Sequence, residues 1–133
     1  MASVLPTVPL VLIVGAYLCL SGAGLIRKGE SDRFLSSLAE SPAAMHGVGA
    51  VATFSGLAIL TLHWRWDTPA AIAVNVVAAI WLFEGAGMLA DPTRLRAMFH
   101  RPSAAAALRT IHFAWLITGI ALVVSGLSAA FAA

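Results

Sequence analysis

Glu84 stands inside an apolar run, Glu84-Gly85-Ala86-Gly87-Met88-Leu89. It lies seven residues before Asp91, which at helical rise puts it about 10 Å inside the end of a helix. Ionisable groups at that depth in a membrane are costly and face a partner or a cavity. As a functional group Glu84 would hold a proton or a cation. As a structural group it would pair with Arg109, which lies at similar depth in the last apolar segment. His112, three residues further on, shares a helical face with Arg109. The pair is the more economical expectation, because a charge buried without a partner is strongly destabilising. Glu84, Arg109 and His112 are therefore expected to form one polar cluster within the membrane.

No cofactor is expected, since no cytochrome-type motif accompanies the histidines and early-turn histidines commonly lie at the interface; haem b is the alternative. His46 and His112 both fall early in their apolar segments, so the two could ligate one haem b iron from opposite sides. A zinc site needs convergent ligands at short spacing, and His46, His63, His100 and His112 fall at unrelated depths. No metal site is expected. His63, beside Trp64 and Trp66, reads as a residue of the membrane interface, and His100 lies in a polar connection. No serine, cysteine or histidine stands in a nucleophile arrangement, so an enzyme is not expected. Cys19 is a small packing residue in an apolar run. Asn75, Thr53, Ser55 and Thr118 are expected to hydrogen-bond between helices.

The elements that must hold these groups are membrane helices. Hydrophobic residues make up 60% of the 133 positions and charged residues 11%, far from the soluble range. Four spans of about 20 residues fit this length, since about 30 Å of hydrocarbon requires that many at helical rise. Residues 1–133 are thus expected to form a single transmembrane domain. The first span is expected over Thr7 to Ile26. It lacks the positive n-region of a secretory signal, so it is expected to be retained. In residues 27–41, Phe34, Leu35 and Leu38 recur at helical spacing, which suits a short amphipathic helix on the membrane surface. Ser41-Pro42 and Thr68-Pro69 each read as an N-cap followed by proline at the first helical position. They open spans from Pro42 to Leu62 and from Pro69 to Ala90. A second polar connection, Pro92 to Arg101, carries Leu95, Met98 and Phe99 as its apolar stripe, and Pro102 is expected to start the last span.

Ser21-Gly22-Ala23-Gly24 is echoed by Glu84-Gly85-Ala86-Gly87 at an offset of 63, and Ser55-Gly56-Leu57-Ala58 by Thr118-Gly119-Ile120-Ala121 at the same offset. The expected architecture is an all-α, integral membrane four-helix bundle. It is built from two parallel-oriented two-helix repeats, about 7–62 and 69–131, related by an axis along the membrane normal. Gly22, Gly24, Gly49, Gly56, Gly85, Gly87 and Gly119 would let the helices approach closely. Arg27, Lys28 and Arg33 lie in the first polar connection and Arg94, Arg96 and Arg101 in the second, against Arg65 alone in the middle one. By the positive-inside rule both amphipathic hairpins are cytoplasmic and both termini periplasmic. No Lys- or Arg-rich tract supports nucleic-acid binding.

A helix ending in Glu-Gly-Ala-Gly-Met-Leu-Ala-Asp-Pro, a basic amphipathic hairpin and a second helix with a small-residue Gly motif together resemble the YjeT-like family of small bacterial inner-membrane proteins. Each half is similar to one such two-helix unit, the second half more so. Ser21 stands in the first half where Glu84 stands in the second, and Lys28-Gly29 where Asp91-Pro92 stand. The resemblance implies a bacterial inner-membrane protein and supplies no catalytic residues. The expected role is a non-catalytic accessory, assembly or structural subunit, with the lipid bilayer and other integral membrane subunits as its partners. A haem b or quinone anchor, and a small proton or cation channel or transporter using Glu84, are the alternatives.

Overall fold

The computed structural model describes residues 6–132. The described residues form six helices and no strand: α1 (Thr7–Leu25), α2 (Glu30–Glu40), α3 (Pro42–Leu62), α4 (Pro69–Ala90), α5 (Pro92–Phe99) and α6 (Ala104–Phe131). Four of them, α1, α3, α4 and α6, are long and apolar enough to cross a membrane. The chain is accordingly a multi-pass helical membrane protein. Local chemistry sets where the helices begin. Ser41 Oγ accepts from Ala44 N–H at 3.1 Å, Thr68 Oγ1 from Ala71 N–H at 3.2 Å, and Asp91 Oδ1 from Arg94 N–H at 3.0 Å. A proline follows each cap, where its missing N–H leaves nothing unpaired. The last span differs from the expectation, since α6 starts at Ala104 and not at Pro102. Arg101, Pro102 and Ser103 form a turn, closed by Ala104 N–H donating to Arg101 O at 2.9 Å.

The spans pack as two antiparallel pairs, α1 along α6 and α3 along α4. Small residues set how close each pair comes. A Cβ at Gly56 would lie 2.5 Å from Ala78 O and 2.7 Å from Leu82 N. A Cβ at Gly119 would lie 2.8 Å from both Cys19 N and Gly15 O. These two sets of positions are 63 residues apart throughout. The same offset relates Gly85, which faces Gly49 and Thr53, to Gly22, which faces His112 and Leu116. Backbone thus meets backbone at equivalent places in both pairs.

The pairs join through α1 and α4. Val11, Val14 and Leu18 of α1 meet Val74, Val77 and Ala78 of α4 in one core cluster that also takes in Ile59 and Leu122. Tyr17 and Trp81 stack edge to face at 5.1 Å, and Trp81 leads on to Trp115 at 6.3 Å. Among the described residues, α3 packs against neither α6 nor α1. The order across the bundle is therefore α3, α4, α1, α6, with two inner and two flanking helices. Helices joined by a basic connection are not packing partners: α1 and α3 do not touch, and α4 meets α6 only lightly, through Trp81 and Trp115. The 11 residues of α2 extend about 16 Å, against roughly 8–10 Å between the axes of packed helices. Each connection carries the chain past the adjacent position.

Both connecting helices lie across the ends of the spans. In α2, Ser31, Leu35, Leu38 and Ala39 are buried, while Asp32, Arg33 and Glu40 are exposed. Gly29 opens this helix at φ 86°, a left-handed conformation that glycine adopts without strain. In α5, Leu95 and Phe99 are half-buried and Met98 is exposed, so the expected stripe is narrower than its sequence spacing.

Candidate functional site

The expected cluster of Glu84, Arg109 and His112 does not assemble. Among the described residues the ion pairs are Arg33 with Glu30 and Arg65 with Asp67. Glu84 and Arg109 form none with each other. Glu84 is exposed on α4 beside Phe83, on the outer stripe that also carries Val76 and Ile80. Arg109 is exposed on α6 and lines a groove against α2 with Arg27 and Ser31. Matched depth was not enough to bring them together, because α4 has α3 as its partner and α6 has α1. His112 goes a third way. It is buried with its ring 5.5 Å from Trp115, its Nδ1 lies 2.9 Å from Leu108 O, and its own carbonyl faces Gly22.

The haem geometry fails for the same reason. His46 is exposed on α3, with Nδ1 2.9 Å from Pro42 O of its own helix, and α3 does not pack against α6. His46 and His112 therefore do not face one another across a common space. No cluster of three or more metal-ligating side chains occurs among the described residues. His100 is exposed on the groove between α2 and the start of α6.

Of the expected packing glycines, Gly22, Gly49, Gly56, Gly85 and Gly119 sit in tight helix contacts. Gly24 faces open space, and Gly87 meets only Leu95 of α5 at 3.7 Å. Two that sequence reasoning passed over, Gly15 and Gly126, line the α1–α6 contact. The signal for Gly15 was present: Gly15, Cys19 and Gly22 repeat the i, i+4, i+7 spacing of Gly49, Thr53 and Gly56.

The corner between α3 and α4 is built differently from the expectation. His63 is fully buried at the corner, where the end of α3 turns toward α4. Asn75, also fully buried, donates from Nδ2 to the Arg65 carbonyl at 2.6 Å, so it ties the corner down instead of bridging two helices. Thr118 bonds back to Ala114 O in its own helix at 2.9 Å, and Thr53 Oγ1 is buried with no hydrogen-bond partner among the described residues. Above Asn75, Arg65 clasps Asp67 through Nε to Oδ1 at 3.1 Å and through a second, shorter contact from Nη2 to Oδ2. These bonds hold the Asp67 carboxyl below the usual carboxylate range and raise the Arg65 guanidinium above its own. Trp64 and Trp66 stack edge to face at 5.5 Å beside the clasp.

What the arrangement offers is a carboxylate on the outer surface of a span, a basic groove at one end and a tied aromatic corner at the other. The chain matches no family model, no curated protein and no solved structure.

Proposed function

We propose that this chain is a non-catalytic accessory, assembly or structural subunit that packs laterally in a larger membrane complex of the bacterial inner membrane. The observation that carries the reading is Glu84: an ionisable group within a span, on the outer surface and without an ion pair to Arg109. Such a group in hydrocarbon calls for a donor from outside the chain. The flanking helices add to this. Phe54 is 75% exposed on α3 and Phe113 56% exposed on α6, so both present broad apolar faces to lipid or a neighbouring helix. The same carboxylate favours a second reading, a small proton or cation channel or transporter that uses Glu84.

The chain also reads as a tandem pair of YjeT-like units with one shared orientation. The recurrence of the Gly22, Gly56, Gly85 and Gly119 contacts at an offset of 63 supports a duplication. Six basic residues, Arg27, Lys28, Arg33, Arg94, Arg96 and Arg101, fall in the two connections at one end of the spans, which supports a cytoplasmic location for that end and periplasmic termini.

Purification of tagged chain in mild detergent tests the function. A stoichiometric membrane partner should co-purify, and Glu84→Leu should reduce its recovery. Undiminished recovery with Glu84→Leu would remove the main support. Ion flux in liposomes that is abolished by Glu84→Gln would move the reading to the channel.

A further inference from the structure

We propose that the groove between α2 and the start of α6 binds the headgroup of an acidic phospholipid. Two adjoining hollows, of about 400 and 220 Å³, share Asp32, Pro102 and Ala105 and so form one continuous groove. Arg27 and Arg109 lie in the smaller hollow, and Arg33 and Arg101 in the larger. Arg33 is engaged with Glu30 at 3.1 Å. Arg27, Arg101 and Arg109 have no ion pair among the described residues. Asp32 supplies the one carboxylate of the lining, against four guanidinium groups.

Arg109 makes the argument specific. It lies five residues past the first residue of α6, about 8 Å along the helix at helical rise. An arginine that far into a span needs a counter-charge. Among the described residues the chain offers only Asp32, which lines the same hollow without an ion pair to Arg109, while Glu84 on α4 forms none with it either. An arginine this near a helix end extends its head toward the interface, where membrane phosphate is the available anion, and guanidinium groups bind phosphate oxygens bidentately. The floor suits an amphiphile as well, since Leu35 and Phe99 line the larger hollow beside the arginines. The groove also has no counterpart where the offset of 63 would repeat it. At the positions 63 residues removed, Ala90 stands for Arg27 and His46 for Arg109. A general excess of positive charge at this end would not require that difference, whereas a site for one headgroup would.

Thermal unfolding in a neutral detergent, titrated with phosphatidylglycerol, phosphatidylcholine or inorganic phosphate, tests the proposal on the full chain. Phosphatidylglycerol should raise Tm and phosphatidylcholine should not. Arg27→Gln and Arg109→Gln should each weaken the apparent affinity about tenfold, as loss of a charge-assisted hydrogen bond does. Both side chains are exposed, so neither change should prevent folding, and Tm without lipid reports that directly. Arg94→Gln, in the other basic connection and outside the groove, should leave the affinity unchanged. The proposal is overturned if Arg94→Gln weakens binding as much as Arg27→Gln, or if both groove variants bind like the parent. An equal response to phosphatidylcholine also overturns it. An equal response to inorganic phosphate would make the ligand a free anion and overturn the assignment to lipid.

Discussion

Replacing Gly56 by alanine tests the close approach of α3 and α4 with a single methyl group. The new Cβ would lie 2.5 Å from Ala78 O, 2.7 Å from Leu82 N and 3.0 Å from Leu82 Cβ. Two of these neighbours are backbone atoms, which no rotamer change can move. The pair must therefore open by about half an ångström, a gap that already forfeits roughly a quarter of each dispersion contact along the seam. Gly49 and Gly85 share that seam, so their contacts loosen together. Overpacking of this kind costs about 1–3 kcal/mol, offset by the gain of about 0.8–1.0 kcal/mol for alanine over glycine in a helix. The expected net loss is about 0–2 kcal/mol, which places Gly56→Ala about 1–3 kcal/mol below a glycine-to-alanine change that meets no neighbour. Gly24→Ala is the control, because its Cβ meets nothing within 4 Å and only the propensity gain remains. Reversible unfolding in mixed micelles, followed by helical circular dichroism, measures both variants. If Gly56→Ala proves as stable as Gly24→Ala, the backbone contact is not as close as described. Gly119→Ala should behave like Gly56→Ala, since its new Cβ would meet Cys19 N and Gly15 O at 2.8 Å.

Two further outcomes follow from the site geometry. In a double-mutant cycle, Glu84→Gln and Arg109→Met should be additive to within about 0.5 kcal/mol, because the two side chains are not paired; a larger coupling in detergent unfolding would return them to one cluster. The Arg65–Asp67 clasp should respond to acid. The Asp67 carboxyl is held low in the folded chain, so its contribution is complete above the ordinary aspartate value of about 3.9 and is lost as pH falls through the lower folded value. Tryptophan emission from Trp64 and Trp66 should change in that acidic window, and Asp67→Asn should abolish the transition; a transition unaltered by Asp67→Asn would place its origin elsewhere.

The spans were legible because their determinants are local. Hydropathy fixes a crossing segment, and Ser41-Pro42 and Thr68-Pro69 carry their caps within three residues. The seam was largely legible as well, since small residues at i, i+4 and i+7 must share a face. The pairing of helices was not. Depth in the bilayer is one coordinate, and it made Glu84 and Arg109 look like neighbours. Their lateral positions depend on how far α2 and α5 carry the chain, which no motif states. The groove of Arg27 and Arg109 was missed for the same reason, because it joins the end of one half to the start of a helix in the other. The role of Asn75 was hidden because its acceptor, the Arg65 carbonyl, is a backbone group that the folded corner presents.

The swapped pairing has a consequence for the order in which the protein can be made. α1 precedes α3 and α4 along the chain, yet its antiparallel partner α6 begins only at Ala104. Until then the face carrying Gly15, Cys19 and Gly22 has no complementary surface from its own chain. α3 and α4 are different: only the 63–68 corner separates them, so their hairpin can close as soon as both are inserted. The middle of the sequence is therefore the natural first unit of tertiary structure. α1 and α6 wait for one another, and insertion of α6 closes the bundle by capturing α1.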